Sequence, residues 1–423
     1  MSKSIVSIVK GADPEKMVEE ALTQLGGVQS LIKRKSTVIL KPNAGHLGPP
    51  ESSVNTSPAV VMAAVKAIRK AQPKEIILAE ASAMGCDTNE CLDSSGIRKA
   101  AEDAGVDQII DIKSHQDLIH IPIRDARSDL KKVSLPRFII EADHIVNLPI
   151  FKSHVSMVFT CALKNIKGVV QDKVHYLMHQ TNLADAMMDL WSVVKADLTI
   201  ADLIRPMEGF GPHSGQPTEF ECVVAGKDPV AVDATVCRMV GLDIEKVDYF
   251  QSATERGLGN SDESKIEIRG NSIEEVHRPL FLPYLEGFDA WPEYNFHVDH
   301  SCSSCQGLMA FIMTKLKVLE EYEKNKGIDI IIGRKKDLPE GVKPGNDLIL
   351  IGDCTKPLRK KIGNKCIFAV GCPPMESFPY RAIVDREDQL ERKPGARERH
   401  TRETDLFMER FYGKKEAKKE NTD

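Results

Sequence analysis

The sequence predicts an α/β fold: a mainly parallel sheet flanked by helices, followed by a smaller C-terminal α/β domain. Two observations lead to this prediction. Up to about residue 260, short β-rich apolar runs alternate with longer helical patterns, and the last third of the chain repeats the alternation around five cysteines. Strands that alternate with helices of this length are typical of a mainly parallel sheet covered on both faces.

The elements of the larger domain follow from the spacing of its apolar residues. In the first predicted helix, Met17, Ala21, Leu22 and Leu25 recur every three or four residues and form one apolar face. The predicted strands are Ser4–Lys10, Ser36–Leu40, Glu75–Ala79, His144–Leu148, Leu198–Leu203 and Glu221–Ala225. The predicted helices are Pro14–Ile32, Ser57–Lys70, Asn89–Ala104, Leu183–Lys195 and Val230–Val240.

Composition changes mark the domain boundaries. Residues 1–277 form the larger domain, and the Pro-rich and aromatic stretch 278–296 is predicted to be a linker. Residues 297–385 form the smaller domain, with a helix and then three strands, predicted at Gly307–Lys326, Ile328–Gly333, Asp347–Gly352 and Cys366–Val370. The tail 386–423 carries 11 Lys/Arg and 10 Asp/Glu, which indicates a solvated helix or disorder. Its apolar residues predict a short helix docked on the body or on a partner subunit, through Leu406, Phe407, Phe411 and Tyr412.

The overall charge and composition exclude some classes of function. With 57 Lys+Arg against 62 Asp+Glu the net charge is −5, and aromatic residues make up only 5%, so we expect no nucleic-acid binding. The N-terminus lacks the apolar core of a signal peptide, and no run is long enough to span a membrane. We therefore expect a cytoplasmic protein without membrane association, whose ten cysteines stay reduced.

Four cysteines of the smaller domain are arranged like metal ligands. Cys302 and Cys305 form a C-x-x-C pair just before a predicted helix, while Cys354 and Cys372 each end a predicted strand. Two strand ends and a helix start can meet at one edge of a sheet, where four thiolates form a tetrathiolate site. We therefore predict a metal-binding domain with Cys302, Cys305, Cys354 and Cys372 as ligands.

The favoured cofactor is a [4Fe–4S] cluster, because only one C-x-x-C pair is present and a proline follows Cys372, as is familiar beside cluster ligands. Zinc is the alternative, with His297 and His300 as additional ligands. Cys366 either replaces Cys354 as a ligand or begins a strand, and we favour the strand. If only three cysteines ligate, one iron is open to a substrate and can act as a Lewis acid.

The other five cysteines are scattered through the larger domain, at positions 86, 91, 161, 222 and 237. Cys161, Cys222 and Cys237 lie inside apolar runs, where a free cysteine behaves as a small buried hydrophobe. We expect all five to be chemically inert.

Charged and amide residues follow several predicted strands of the larger domain. Ligands of open α/β sheets bind at the carboxyl ends of the strands, and lysines there predict an anionic ligand, a carboxylate or phosphate. The predicted substrate-binding residues are Lys41, Asn43, Lys164, Asn165, Lys167, Glu208, Gly209, Gly211 and Asp233. The predicted catalytic residues are Lys152, which also holds the anion, and a proton carrier, His154 or Asp202. Gly209 and Gly211 are expected to offer backbone N–H groups to the anion.

Five ordered motifs resemble the DUF362 family, a domain of unknown function common in anaerobic bacteria and archaea. They are Lys41–Asn43, Asn147–His154, Ala162–Gly168, Glu208–Pro212 and Gly226–Asp233, with Gly257–Gly259 after them. The resemblance spans about residues 36–260 and implies a fold without naming a reaction. Family members often carry an iron–sulfur module with repeated C-x-x-C runs. This chain has a single C-x-x-C and two isolated cysteines, and its C-terminal part resembles the variant that ends in Gly-Cys-Pro-Pro.

These observations predict an iron–sulfur protein of anaerobic metabolism that acts on a small anionic substrate. The expected reaction is a redox step or a cluster-assisted elimination on a hydroxy acid. One alternative is a non-redox enzyme or ligand-binding protein whose zinc or cluster is structural. The other is a maturation or electron-transfer partner protein. The expected partners are a redox partner protein or a second copy of the chain in a homo-oligomer.

Overall fold

The computed structural model describes residues 3–155, 157–179, 181–212, 214–282, 287–299, 301, 303–391 and 393–413. The chain divides into two compact units, which we call unit 1 (residues 1–282) and unit 2 (residues 283–423). The boundary between the two units falls within the predicted linker 278–296.

Unit 1 contains thirteen of the described strands. They are β1 (Ser4–Lys10), β2 (Thr37–Pro42), β3 (Glu75–Glu80), β4 (Gln108–Asp111), β5 (Leu118–Pro122), β6 (Lys132–Pro136), β7 (His144–Leu148), β8 (Ile150–His154), β9 (Val158–Thr160), β10 (Leu198–Phe210), β11 (Ser214–Pro217), β12 (Cys222–Gly226) and β13 (Ile266–Gly270). The helices described in unit 1 are α1 (Pro14–Gln24), α2 (Val28–Leu31), α3 (Pro58–Arg69), α4 (Thr88–Ser94), α5 (Ile97–Asp103), α6 (Arg137–Glu141), α7 (Ala162–Asn165), α8 (Asp172–Met178), α9 (Leu183–Trp191), α10 (Pro229–Met239), α11 (Asp248–Glu255) and α12 (Ile273–Val276).

One mixed sheet organises unit 1. It has 11 strands in the order β13-β1-β12-β10-β7-β2-β3-β4, with β8 and β11 paired to β10 and β9 paired to β8. The strands β7, β2, β3 and β4 run parallel to their neighbours, whereas β12 runs antiparallel to β1 and β10. The sheet is mostly parallel, which confirms the predicted fold class.

One apolar core of unit 1 lies between this sheet and helices α1 and α3. Leu40 of β2 and Leu78 of β3 are fully buried, and they belong to one apolar cluster with Leu22 of α1 and Val61 of α3. The parallel strands are buried on both faces, so they read as continuous apolar runs rather than as alternating patterns.

Glycines divide two of the predicted helices. Gly26 and Gly27 have φ of 104° and 87°, so the helix predicted to reach Ile32 ends at Gln24 and restarts as α2. Gly96, with φ of 71°, separates α4 from α5 in the same way. A positive φ is accessible to glycine but breaks an α-helix, so apolar periodicity alone carried both predictions too far.

Unit 2 is a second parallel α/β layer. Its strands β14 (Asn295–Asp299), β15 (Asp329–Gly333), β16 (Leu348–Ile351) and β17 (Ile367–Ala369) form a four-stranded sheet in that order, with each pair parallel. Its helices are α13 (Ser303–Val318), α14 (Lys356–Ile362), α15 (Ser377–Val384) and α16 (Ala396–Tyr412). Sequence analysis missed β14, because this short strand carries the polar residues Asn295, His297 and Asp299 and falls at the end of the predicted linker.

The charged tail contributes the last helix of unit 2. Phe407 of α16 is fully buried, and its ring packs edge-on against Phe311 of α13 with 5.2 Å between the ring centroids. The prediction of a short docked helix is therefore confirmed for the described part of the tail. No helix in the described ranges is long and apolar enough to cross a membrane.

Candidate functional site

The centre of the candidate site in unit 1 is a buried ion pair. Lys41 and Glu80 stand at the carboxyl ends of the neighbouring parallel strands β2 and β3, and the Lys41 Nζ lies 2.8 Å from Glu80 Oε1. Lys41 Nζ also donates to Pro42 O at 2.6 Å, and Glu80 accepts the N–H of Ala44 at 2.8 Å. Burial lowers the pKa of Lys41 and raises that of Glu80, while the attraction between the two charges opposes both shifts.

A glycine makes room for this pair. A Cβ atom built on Gly168 would lie 2.1 Å from Glu80 Oε1 and 2.4 Å from Lys41 Nζ. Any larger residue would push the two charges apart. This explains why the segment after α7 carries a glycine, which approaches the strand ends directly.

Three asparagines connect the strand ends to α7. Asn43 Nδ2 donates to Asn165 Oδ1 at 2.9 Å, and Asn165 Nδ2 donates to Asn147 Oδ1 at 2.8 Å. Asn147 Nδ2 in turn donates to Ala162 O at 3.0 Å. Because these side chains are buried or half-buried and satisfy one another, they fix α7 over the ends of β2 and β7.

Lys152 extends the site from β8. Its Nζ donates to Asn43 Oδ1 at 3.0 Å and to Val54 O at 2.6 Å, and the residue is only 2% exposed. Burial lowers the pKa of Lys152 to about 7, and the charge of Lys164 contributes to the shift. A lysine with this pKa can hold or release a proton near neutral pH.

Lys164 and Lys167 complete a group of four lysines. Burial lowers the pKa of Lys164 to about 8, and no described residue forms a hydrogen bond or ion pair with its side chain. Lys167 Nζ lies 2.6 Å from His179 Nε2, and burial together with the charge of Lys164 lowers the pKa of Lys167. Among the described carboxylates, only that of Glu80 forms an ion pair with any of these lysines. The group therefore carries an excess of positive charge.

Asp233 of helix α10 holds the start of helix α7 in place. Its carboxylate accepts the N–H groups of Ala162 at 2.7 Å and Leu163 at 2.9 Å, so it caps the first turn of α7 from the neighbouring helix α10. Burial raises the pKa of Asp233 to about 7, while these two N–H groups lower it. Each carboxylate oxygen accepts a backbone N–H group, and the Cys161 side chain also forms a hydrogen bond with this carboxylate. Substrate binding by Asp233 stays a prediction.

Asp202 is also held by backbone groups. It accepts the N–H of Ser57 at 2.7 Å and that of Ile204 at 3.0 Å, and burial raises its pKa to about 6. Its contacts position the start of α3 and do not include any of the four lysines. His154 ends β8 two residues after Lys152 and is half-buried. Its role as a proton carrier stays a prediction.

The glycine-containing end of β10 does not offer the predicted anion donors. The Gly209 N–H donates to Phe281 O at 2.7 Å and the Gly211 N–H donates to Ser153 Oγ at 3.0 Å. Glu208 accepts the N–H of Phe281 at 2.9 Å. Both glycine N–H groups are already bonded within the protein, so the prediction that they face a ligand is wrong. The segment after the predicted strand Leu198–Leu203 continues β10 as far as Phe210.

Three members of the site were not predicted as site residues: Glu80, Gly168 and His179. Glu80 lies one residue beyond the predicted strand, and the reasoning that selected Lys41 applies equally to it. Gly168 ends the motif Ala162–Gly168, which was a second signal.

The cysteines of unit 2 gather at the carboxyl ends of its strands. Cys354 follows β16 and Cys372 follows β17, each three residues beyond the last strand residue. A Cβ atom built on Gly352 would lie 3.5 Å from Cys354 Sγ and 3.8 Å from Cys305 Sγ. The same point is 3.5 Å from the carbonyl oxygen of Gly371, the residue before Cys372.

Cys366 lies apart from this group of cysteines. Cys366 precedes β17, is 4% exposed and belongs to an apolar cluster with Phe368, so it is a core residue at the opposite end of that strand.

The predicted ligand Cys302 and the alternative zinc ligand His300 lie outside the described residues. Within the described part of the chain, no group of three or more His, Cys, Asp or Glu side chains is close enough to hold a metal ion. The metal site stays a prediction.

Unit 1 also contains a cavity of about 420 Å³ away from these groups. It is lined by apolar side chains such as Trp191 and Leu258 together with Lys195 and Lys227. None of the predicted site residues lines it.

Comparison with known proteins finds a family match within unit 1. Residues 38–238 match the domain family DUF362, described as a domain of unknown function. The match confirms the resemblance that the sequence motifs indicate. All predicted site residues of unit 1, from Lys41 to Asp233, lie inside the matched range.

Related proteins extend the comparison. The chain is 26% identical over 251 residues to the thylakoid-associated protein sll1697 of Synechocystis sp., covering 56% of this chain and 73% of that protein. The lactate racemase apoprotein of Thermoanaerobacterium thermosaccharolyticum is similar at 14% identity and a TM-score of 0.35, over 56% of this chain and only 57% of that one. A Thermotoga maritima protein solved by structural genomics has 14% identity and a TM-score of 0.37, over 91% and 86%.

Proposed function

We propose that this protein binds a [4Fe–4S] cluster in unit 2 and a small anionic substrate in unit 1, and that it is an enzyme of redox or elimination chemistry. The observation that carries the proposal is the convergence of Cys305 Sγ and Cys354 Sγ on the space beside Gly352. The two residues are 49 positions apart in sequence, so the fold and not the local sequence brings their thiols together.

The surroundings of these thiols fit a thiolate-bound metal. Gly352 leaves open the space that a Cβ would fill directly against both sulfurs. The Gly371 N–H donates to Asp353 Oδ1 and the Asp353 N–H donates to Gly371 O, both at 2.8 Å, which ties the loop of Cys354 to that of Cys372. Cys302, Cys305, Cys354 and Cys372 would hold the cluster. When bound, such a cluster supplies electron transfer or, with an open iron, Lewis acidity.

The lysine group of unit 1 supports the anionic substrate. Lys152 and Lys164 have no carboxylate partner among the described residues, and burial has already lowered the pKa of each. A bound carboxylate or phosphate would stabilise their protonated forms and compensate for their desolvation. Lys152 would hold one oxygen of the anion and, with its lowered pKa, would exchange a proton with it.

A pair of cysteine variants tests the metal site. Cys354→Ser removes a proposed ligand, and Cys366→Ser is its matched control, because both cysteines flank the strands of one small sheet and only Cys354 faces the proposed site. Protein reconstituted anaerobically with iron and sulfide should lose its visible absorption in Cys354→Ser and keep it in Cys366→Ser. Equal loss in both variants, or zinc without iron in the purified protein, would contradict a cluster at this site.

A second pair tests the anion site. Lys164→Met removes a half-buried lysine that has no partner among the described residues, whereas Lys173→Met removes an exposed lysine from the nearby helix α8. Calorimetric titration with inorganic phosphate and with glycolate should detect binding of at least one anion to the wild type and to Lys173→Met, and none to Lys164→Met. Equal binding by the two variants would refute the proposed site.

A further inference from the structure

Two cysteines of unit 1 form a thiol pair beside a histidine. Cys86 lies in the turn after β3, and Cys91 lies in α4, close enough to Cys86 for the two thiols to interact. Cys86 Sγ also lies 3.7 Å from His46 Nδ1. The expectation that both cysteines are inert rests on the sequence alone, in which they stand five positions apart and neither spacing nor composition connects them with His46.

The pair is held in place by its surroundings. Lys113 Nζ donates to the carbonyl oxygens of Ala83 and Cys86, both at 2.9 Å, and so fixes the turn that carries Cys86. The Ala83 N–H donates to Gly45 O at 2.9 Å, which joins this turn to the segment of His46. Asn55 Nδ2 donates to His46 O at 2.8 Å and holds the histidine from the other side.

The two thiols differ in accessibility. Cys91 is fully buried, whereas Cys86 is half-buried and can be reached from solvent. The hydrogen bond to Cys86 and burial raise the pKa of Cys91. An accessible thiol beside a base and a buried second thiol is the arrangement of an attacking and a resolving cysteine in thiol–disulfide exchange.

We propose that Cys86 and Cys91 form a thiol–disulfide exchange site that a disulfide of the glutathione type oxidises reversibly. His46 takes the proton of Cys86, and the Cys86 thiolate attacks one sulfur of the disulfide, which leaves a mixed disulfide on Cys86. The other half of the disulfide departs as a thiolate and receives the proton from His46. Cys91 then attacks the Cys86 sulfur, and its proton goes to the second departing thiolate. One Cys86–Cys91 bond forms, one external disulfide is reduced to two thiols, and two electrons pass from the pair to the external disulfide.

One tryptic peptide reports the reaction. Residues 75–98 contain both cysteines and no internal lysine or arginine. The full-length protein is incubated anaerobically with oxidised glutathione, the remaining thiols are blocked with N-ethylmaleimide, and the digest is analysed by mass spectrometry. We expect this peptide without either label and two hydrogens lighter than its reduced form, and full recovery of two labels after reduction. A peptide that keeps both labels would overturn the proposal.

Variants separate the roles of the two thiols. In Cys91→Ser the mixed disulfide of glutathione with Cys86 should accumulate, because no second thiol resolves it. In Cys86→Ser the buried Cys91 should stay free of glutathione. The control Cys222→Ala, a change elsewhere in the sheet, should still form the Cys86–Cys91 disulfide. Glutathione on Cys91 in the Cys86→Ser protein, or none on Cys86 in Cys91→Ser, would contradict the assignment.

The histidine is tested by a pH profile. In the Cys91→Ser background, His46→Gln should slow formation of the mixed disulfide at neutral pH by roughly tenfold or more, since general bases typically contribute at least this much. The difference should vanish at a pH where the thiol ionises without help. A rate that falls equally at every pH would indicate a structural role for His46 and would contradict its role as base.

Discussion

Lys41 Nζ and Glu80 Oε1 lie 2.8 Å apart at the ends of two adjacent parallel strands, and neither side chain is more than 2% exposed. The pair fixes a positive and a negative charge inside the protein, and the absence of a Cβ on Gly168 leaves room for both. It anchors the loop after β2, from which Asn43 reaches both Asn165 and Lys152. The ion pair is thus the structural foundation of the lysine group.

Removal of one charge of this pair should destabilise unit 1 strongly. Glu80→Gln leaves the Lys41 ammonium buried without its counter-charge, a change that typically costs about 3–5 kcal/mol of unfolding free energy. Urea unfolding followed by circular dichroism measures this loss. Glu19→Gln, which breaks an exposed pair with Lys70, is the control and should cost less than about 1 kcal/mol. Similar losses in the two variants would mean that the buried pair is not a stabilising element.

Asp233 should make stability fall as pH rises. The pKa of an aspartate in an unfolded chain is about 3.9, whereas burial raises the pKa of Asp233 to about 7 in the folded protein. Between these values the folded state binds more protons, so the free energy of unfolding decreases from about pH 4 to pH 7.

The variant Asp233→Asn does not titrate, and it should show a smaller decrease over the same interval. It also loses one of the two N–H acceptor interactions with α7, at a cost of about 1 kcal/mol. Asp129→Asn, at an exposed position, should keep the pH dependence of the wild type. Urea unfolding at several pH values checks this, and parallel curves for wild type and Asp233→Asn would contradict the assignment.

Anion binding should weaken in alkaline solution. Lys152 has a pKa of about 7 and Lys164 of about 8, so both lose their positive charge as pH rises from 6 to 9. The neutral amines attract phosphate less, although Lys41 stays paired with Glu80 throughout. Calorimetric titration with phosphate at constant ionic strength should therefore show affinity falling across this range. Affinity that rises with pH, beyond the second ionisation of phosphate itself, would contradict a site built on these lysines.

The helix of the charged tail should stabilise unit 2. Phe407→Ala removes a fully buried ring that packs on Phe311, and such truncations typically cost about 3–5 kcal/mol. Leu406→Ala, at a neighbouring position that is 39% exposed, should cost much less. Thermal unfolding of the full-length protein compares the two variants, and equal midpoints would show that the helix is not part of the unit 2 core.

Local patterns predicted six of the eleven strands of the large sheet and three of the four strands of the unit 2 sheet, because buried parallel strands are short apolar runs bounded by polar residues. His144–Leu148 was predicted with the bounds that β7 has in the structure. The sequence could not show β14, which is too polar to stand out, or the continuation of β10 to Phe210. Both depend on pairing with strands that are distant in the sequence.

The sequence predicted which residues belong to the site better than it predicted what each residue does. Lys41, Asn43, Lys152 and Asn165 were selected because each follows a strand or lies in a short motif, and hydrogen bonds do join them. The contacts of Asp233 with the backbone and of Gly211 with Ser153 could not be inferred from local sequence, because the partners lie 71 and 58 residues away. The Cys86–His46 contact also joins segments that no periodicity relates.

The metal content of the protein decides whether unit 2 binds a cluster through Cys302, Cys305, Cys354 and Cys372, as proposed. Iron, zinc and acid-labile sulfide are measured on protein purified without oxygen, and an electron paramagnetic resonance spectrum is recorded after reduction with dithionite. We predict about four iron and four sulfide per chain and a signal of a reduced [4Fe–4S] cluster, as four cysteine ligands imply. A colourless protein that contains zinc and neither iron nor sulfide would contradict the claim.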